Sequence, residues 1–235
     1  MLEKVKEEVA KLHKDDKTGH DINHIENVLK LSLEFSKDYK DINLTLLTLI
    51  SLLHDADDVK LFSTNDYANT KKIMKEAKVC NNLQKLVLSE ISSIGFGKRL
   101  EGAVPKTVEG KIVSDADMCE ALGIKGLLRI NMYAKSRGDV FFDKDIYPVE
   151  FINKDNYRYS GKTSICHVFE KLLKLEYYML TEEGYREATI RTDELVRFLV
   201  EFFNEEKAYE WNKYLFSYLK KLNRTYKGYS RIKAK

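Results

Sequence analysis

Three features of the 235-residue sequence predict an all-α fold in a single domain. The chain contains only two prolines, Pro105 and Pro148, which favours helices over the many short strands and turns of a β protein. Apolar residues recur at helical spacing along most of the chain. Residues 44–53 are apolar on every side of a helical wheel, as helices buried at the centre of a domain are.

Spacing and capping residues predict the helices in chain order. The glycine-rich segment 95–106 is predicted to be a loop, and residues 137–160 are predicted to be irregular. The predicted helices are 2–14, one that Asp21 caps, the central helix capped by Asp41 or Asn43, one from Asn65 or Asp66 to about 78, one from Asn81 or Asn82 to about 93, 107–136 with a bend near Gly123 and Gly126, 161–180, 182–205 and 207–222.

Composition narrows the classes of function. The 40 Lys and Arg nearly balance the 37 Asp and Glu, so the net charge of +3 gives no strong case for a nucleic-acid partner. Cys80, Cys119 and Cys166 are odd in number and lack a CxxC pair, which predicts reduced thiols in a cytoplasmic protein and excludes a cysteine-based zinc knuckle. The first 14 residues lack the apolar segment of a secretory signal.

The chain shows no internal repeat, low-complexity linker or second core, so one helical domain over residues 1–222 is predicted, followed by a basic, frayed tail over residues 223–235. No membrane association is expected, because the central apolar run is shorter than the roughly 20 residues that span a bilayer. The oligomeric state stays open, and a homodimer is compatible with the sequence.

Charged residues follow the central helix abruptly. His54 and Asp55 come directly after the apolar run, and Asp57 and Asp58 follow them. Because an unpaired buried carboxylate is very costly, these side chains need partners, and a divalent cation is one that suits a His-Asp pair. The sequence therefore predicts a metal site at the end of this helix.

Other predicted helices supply further ligand types. His24 lies one turn inside the second helix, and Asp115 and Asp117 both lie in an apolar helix later in the chain. Two imidazoles and two carboxylates suit a mid-series divalent ion better than Ca²⁺. One divalent ion is therefore predicted, with Mn²⁺ first and Co²⁺, Ni²⁺, Fe²⁺, Zn²⁺ or Mg²⁺ as alternatives.

These residues stand in an ordered set of motifs. The set resembles the HD superfamily of metal-dependent phosphohydrolases, in particular its small bacterial and archaeal hydrolases, over most of residues 15–205. The matching segments are GHD at 19–21 with His24 and Ile25, LLHDADD at 52–58, EGKIVSDADMCEALG at 109–123 and TSICHVFEKLL at 163–173.

The resemblance implies an all-helical domain in which His24, His54, Asp55 and Asp117 bind the metal. It selects Asp117 over Asp115, and it places Asp58 beside the nucleophilic water. Asp58 also lies one turn after His54, which puts it on the same face of any continuing helix. No histidine lies between Asp55 and Asp117, where two-metal relatives carry additional ones, so a mononuclear centre is favoured.

The implied function is metal-dependent hydrolysis of a nucleotide or related small phosphate ester. Many relatives carry His and Arg where this chain has Ile94 and Met118. The candidate phosphate contacts are His20, Lys98 and Arg99. Two alternatives remain, a non-catalytic metal- and nucleotide-binding sensor and, on the strength of the basic tail, an RNA-directed phosphodiesterase.

Overall fold

Most of the residues that the structure describes are helical, as predicted. In this computed structural model they are residues 1–14, 16, 19, 21–59, 61–149 and 162–224. Within those ranges β pairing is limited to an isolated bridge between Val140 and Thr163, and no helix is long and apolar enough to cross a membrane. The chain divides into two compact units, Met1–Glu120 and a second that begins at Ala121. The predicted boundary at residue 222 stays a prediction, because residues 225–235 lie outside the described part.

The first unit is a helical bundle around its third helix. Its helices are α1 (Leu2–Leu12), α2 (Ile22–Phe35), α3 (Leu44–Leu53), α4 (Ala68–Glu76), α5 (Asn81–Ile91), α6 (Phe96–Leu100) and α7 (Val108–Glu120). α3 packs against α1, α2, α5 and α7, and α2 also packs against α7. The three helices α2, α3 and α7 therefore contact one another pairwise.

α3 is buried, which confirms the prediction that a helix with apolar residues on every side lies at the centre of its domain. Leu47, Leu49, Ile50 and Leu53 are completely buried, whereas Leu44 at the start of the helix is 55% exposed. Each fully buried leucine or isoleucine side chain contributes about 1.5–3 kcal/mol to folding. The end of α3 is thereby held at a fixed position in the core.

Side-chain caps fix the starts of α2 and α3. Asp21 Oδ1 accepts from the His24 backbone N–H at 3.1 Å, and Asn43 Oδ1 accepts from the Leu46 N–H at 3.0 Å. Of the two predicted caps for α3, the structure therefore uses Asn43. Glu109 Oε1 in turn accepts from the Asn43 N–H at 2.8 Å, which ties the first turn of α7 to the start of α3.

The predicted caps of α4 and α5 are wrong. α4 begins at Ala68 and α5 at Asn81, and the preceding residues, Tyr67 and Cys80, make no capping hydrogen bond with their side chains. Asp66 and Tyr67 both adopt left-handed backbone conformations, with φ of 53° and 55°. The chain therefore turns sharply before α4, and the helix begins later than its sequence pattern indicates.

Two other predicted segments differ from the structure. The segment 95–106 is not wholly a loop, because α6 forms after Gly95, whose φ of 107° reverses the chain. The predicted helix 107–136 is two helices, α7 and α8 (Gly123–Ser136). A Cβ at Gly126 would lie 2.1 Å from the Ala121 carbonyl oxygen, so the close approach at this junction requires glycine.

The second unit contains the remaining helices. They are α8, α9 (Ser164–Glu170), a 3₁₀ helix (Leu172–Tyr178), α10 (Glu182–Glu205) and α11 (Tyr209–Lys221). The predicted helix 161–180 is thus two elements, because Lys171 leaves helical geometry with φ −128° and ψ −61°. The described part of the predicted irregular segment, 137–149, is irregular, and residues 150–161 lie outside the described ranges.

An aromatic cluster and a buried ion pair stabilise the second unit. Trp211 is buried, donates from Nε1 to the Lys144 carbonyl at 3.0 Å, and stacks with Tyr147 at a centroid distance of 4.5 Å. Arg224, which the sequence placed in the frayed tail, is instead buried, and its guanidinium pairs with Glu176 and Asp193. That buried position removes Arg224 from the basic run that suggested RNA.

Candidate metal centre

His24 is held in the core by the helix that carries it. It is the third residue of α2, directly after the turn capped by Asp21, and its side chain is 1% exposed. Because α2 packs against both α3 and α7, this imidazole faces residues from the other two helices. The cap at Asp21 and the packing of α2 together fix the position of His24.

His54 lies at the C-terminal end of α3, and its ring orientation is set by that helix. Its Nδ1 lies 2.8 Å from the Ser51 carbonyl oxygen. A carbonyl oxygen can only accept, so Nδ1 carries the proton and Nε2 presents its lone pair. That tautomer is the one in which Nε2 can bind a metal ion.

The four predicted ligands converge. The Nε2 atoms of His24 and His54 are 3.3 Å apart, and Asp55 Oδ2 lies 3.4 and 3.5 Å from them. Asp117 Oδ1, from α7, lies 3.5 Å from His24 Nε2 and 3.8 Å from His54 Nε2. Helices α2, α3 and α7 therefore bring two imidazole nitrogens and two carboxylate oxygens to one point.

These separations fit a common cation. Nitrogen and oxygen ligands lie about 2.0–2.2 Å from an ion such as Zn²⁺, so two ligands at right angles are about 3.0 Å apart and two at the tetrahedral angle about 3.4 Å apart. The ligand atoms of His24, His54 and Asp55 all lie within 4.8 Å of one another. These three residues thus have the spacing of ligands to one divalent ion, and Asp117 Oδ1 lies 3.5 and 3.8 Å from the two imidazole Nε2 atoms beside them.

The imidazoles also control the charge of Asp117. Burial raises the pKa of its carboxyl, but the hydrogen bond from His24 and the electrostatic effect of the neighbouring His54 outweigh it and bring the pKa to about 2. Asp117 is therefore ionised at neutral pH. An ionised carboxylate is the form that binds a cation.

Asp58 follows His54 and Asp55 closely in the sequence, but its backbone geometry differs from the one predicted. α3 ends at Leu53, so Asp58 does not occupy the next turn of a continuing helix. Residues 54–57 form a turn in which the Asp58 N–H donates to the Asp55 carbonyl at 3.1 Å. Asp58 is half-buried directly after that turn.

The structure describes two of the three predicted phosphate contacts. Lys98 is exposed and Arg99 is half-buried on α6, where Arg99 Nη1 donates to the Ala103 carbonyl at 3.4 Å. His20 lies outside the described residues. The role of all three in substrate binding stays a prediction.

Asp57 is a residue of this region that sequence reasoning did not single out. Its Oδ1 accepts from the Asn69 N–H at 3.0 Å, and its Oδ2 accepts from the N–H and the hydroxyl of Thr70 at 2.9 and 2.7 Å. Burial raises the pKa of the Asp57 carboxyl, but hydrogen bonds from Thr70, Thr64 and Asn69 outweigh it and hold the pKa below its ordinary value. Asp57 therefore caps α4 from a distance.

We expect Asp57→Asn to lower the free energy of unfolding by about 1–2 kcal/mol at neutral pH, because the amide nitrogen of Asn cannot accept the hydrogen bonds that one of the two Asp57 oxygens accepts. A folded-state pKa below the unfolded value of about 3.9 stabilises the protein above that pH, and the contribution is lost as pH falls through the folded-state pKa. Urea unfolding of both proteins at pH 7 and near pH 3 tests this. The difference between them should shrink in acid, and a difference that stayed constant would contradict it.

The chain matches several solved structures. A protein of Lactobacillus plantarum superposes with a TM-score of 0.78 at 28% identity, covering 88% of this chain and 97% of that one. An HD-superfamily hydrolase of Bacillus thuringiensis matches with a TM-score of 0.66 at 29% identity, over 88% and 97% of the two chains. The chain therefore has the HD-domain fold, and the predicted resemblance to the HD superfamily is confirmed.

A curated relative extends the comparison. The uncharacterised protein YpgQ of Bacillus subtilis is 24% identical over 204 residues, which span 85% of this chain and 90% of YpgQ. A crystal structure of YpgQ in complex with ADP matches with a TM-score of 0.63 at 21% identity, over 87% and 94% of the chains. No protein-family model matches the chain.

Proposed function

We propose that this protein is a divalent-metal-dependent phosphohydrolase that acts on a nucleotide or a related small phosphate ester. The observation that carries the proposal is the convergence of His24, His54, Asp55 and Asp117 at separations of 3.3–3.8 Å between each imidazole Nε2 and its neighbouring ligand atoms. The structural similarity to an HD-superfamily hydrolase supports hydrolysis as the activity.

The four residues would hold one divalent ion, with Mn²⁺ favoured and Co²⁺, Ni²⁺, Fe²⁺, Zn²⁺ and Mg²⁺ as alternatives. When bound, such an ion lowers the pKa of water and polarises a phosphoryl oxygen. The protein contributes fixed ligand directions: the Ser51 carbonyl holds the His54 ring by a 2.8 Å hydrogen bond, and the packed helices α2 and α7 hold His24 and Asp117.

Asp58 is the proposed proton acceptor. Its backbone N–H donates to the Asp55 carbonyl, so the residue directly follows the turn that carries His54 and Asp55. From there it would orient the attacking water and accept its proton. Lys98, Arg99 and His20 are the residues proposed to offset negative charge on the phosphate.

Nucleotides are the proposed substrate class. The structure of YpgQ in complex with ADP supports this choice, because YpgQ shares the fold over most of its length. The same observation also favours a second candidate function, a nucleotide-binding sensor without turnover, since the complex records binding. Release of phosphate or pyrophosphate separates the two candidates.

We expect elemental analysis of the purified protein to find one divalent ion per chain. A panel of nucleotides and phosphate esters, assayed with Mn²⁺, Co²⁺, Ni²⁺ and Mg²⁺, should then show metal-dependent release of phosphate or pyrophosphate. Nucleotide binding with bound metal but without any product would instead establish the sensor. A protein that binds no divalent ion would contradict both.

We expect Asp58→Asn to keep the bound metal and to lower kcat by about 10²–10⁴, the usual contribution of a general base. Metal content and steady-state turnover are the two measurements. Asp41→Asn, at an exposed position before α3, is the matched control and should leave both unchanged. Full turnover in Asp58→Asn would show that another group accepts the proton.

A further inference from the structure

The turn after α3 is fastened at both ends. On one side the Ala56 N–H donates to the Leu53 carbonyl at 3.2 Å, which joins the turn to the buried end of α3. On the other side Asp57 joins it to α4 through Asn69 and Thr70. His54 and Asp55 lie between these two attachments, and Asp58 follows directly.

The attachment to α4 is stronger than a single helix cap. Both carboxylate oxygens of Asp57 accept hydrogen bonds, with Thr70 contributing both its N–H and its hydroxyl to Oδ2. Next to it, Asn69 Nδ2 donates to the Ala56 carbonyl at 2.8 Å. Ala56 and Thr70 are completely buried, so these bonds form largely away from water.

The first N–H groups of α4 find their acceptors outside the helix: the Asn65 carbonyl accepts from the Ala68 N–H at 3.2 Å, and Asp57 accepts from the next two. Tyr67, directly before the helix, makes no side-chain cap and adopts a left-handed conformation with φ of 55°. The first N–H groups of a helix require acceptors from outside it. Asp57 satisfies two of them, those of Asn69 and Thr70, and in doing so ties the site to α4.

α4 is itself fixed in the bundle. It packs against α1 and α5, and each of those helices also packs against α3. The turn that carries His54, Asp55 and Asp58 is therefore held between α3 and a helix that packs against α1 and α5. Small displacements at such a turn matter, because a misplacement of about 1 Å can cost about 100-fold in rate.

We propose that Asp57 is a positioning residue for the reaction: by fixing the turn to Asn69 and Thr70 it sets the placement of Asp55 and Asp58 relative to each other and to His24 and Asp117. This inference rests on the proposed function. Asp57 does not touch the reacting atoms, and it acts through the backbone of the turn.

The test compares Asp57→Asn and Thr70→Val with a cap removed elsewhere. Thr181→Ala is the matched control, because the Thr181 hydroxyl oxygen caps α10 by accepting from the Gly184 N–H at 3.1 Å. All three variants lose a helix-capping or cap-supporting hydrogen bond and are expected to be less stable. Only the first two lose a contact to the turn.

Two readouts separate positioning from stability, both taken well below the unfolding temperature. The first is kcat and KM with ATP and p-nitrophenyl phosphate as probes, and the second is the visible absorption spectrum of the Co²⁺-loaded protein. We expect Asp57→Asn to lower kcat by about 10–100-fold with little change in KM, and to change the Co²⁺ spectrum. Thr70→Val should lower kcat by about fivefold, and Thr181→Ala should match the wild type in both readouts.

Wild-type kcat and an unchanged Co²⁺ spectrum in Asp57→Asn and Thr70→Val would overturn the inference. If Asp57→Asn does not fold, the inference is tested with Thr70→Val alone. That substitution only replaces the hydroxyl by a methyl group of similar size. If the wild type binds Co²⁺ but turns over neither probe, the inference is tested by comparing the Co²⁺ spectra of the variants with that of the wild type. A wild type that binds no Co²⁺ would overturn the proposed function itself, and with it this role of Asp57.

Discussion

Asp55→Ala is expected to lose both bound metal and turnover, the largest effect on activity that the structure predicts. Asp55 Oδ2 lies 3.4 and 3.5 Å from the two imidazole Nε2 atoms, so its removal takes one of the two carboxylates proposed as ligands from the cluster. Loss of an outer partner of a metal ligand already costs about 10–100-fold in affinity or activity. Loss of the ligand itself should cost more than about 100-fold.

Metal content after desalting and turnover with the best substrate of the panel measure this effect. Asp41→Ala removes an exposed carboxylate before α3 and serves as the control. Circular dichroism should show an unchanged helix content, because Asp55 lies after the end of α3. Asp55→Ala with normal metal content would mean that Asp55 is not a ligand.

Arg224→Met is expected to have the largest effect on stability. The side chains of Arg224, Glu176 and Asp193 are 5%, 4% and 2% exposed, and Arg224 Nη2 also donates to the Thr189 carbonyl at 3.1 Å. Burial lowers the pKa of the Arg224 guanidinium to about 10, which leaves it charged at neutral pH. The substitution strands two buried carboxylates without their cation, which costs about 3–5 kcal/mol.

Urea unfolding monitored by circular dichroism measures the loss. The matched control is Arg186→Met, which breaks a pair with Glu182 whose side chains are 64% and 83% exposed. Exposed pairs contribute about 0–1 kcal/mol, so this variant should remain close to the wild type. Equal unfolding midpoints for the two variants would show that the buried group of Arg224, Glu176 and Asp193 does not stabilise the second unit.

The core and the convergence of the four side chains were predictable because each depends on a local pattern. The helix at 44–53 is apolar on all sides, which indicates burial whatever surrounds it. His24, His54, Asp55 and Asp117 stand in motifs whose order indicates a shared site. The caps Asp21 and Asn43 act on residues three positions later, within reach of sequence reasoning.

The features that were missed depend on distant partners. Asp57 binds Thr70, 13 residues further along, through a sharp turn at Asp66 and Tyr67 that no residue type in the sequence indicates. Arg224 pairs with Asp193, 31 residues earlier. Arg224 stands in a basic segment, where the sequence does not distinguish a buried arginine from an exposed one. Its burial follows only from the tertiary fold.

Titration with Mn²⁺ monitored by electron paramagnetic resonance tests the central claim most directly, that three helices hold one ion. It should be performed on the wild type and on His24→Ala, Asp55→Ala and Asp117→Ala, which remove one ligand each from α2, the end of α3 and α7. One tight site per chain in the wild type, weakened in all three variants, is the predicted result. Wild-type affinity in any of the three, or no tight site in the wild type, would contradict it.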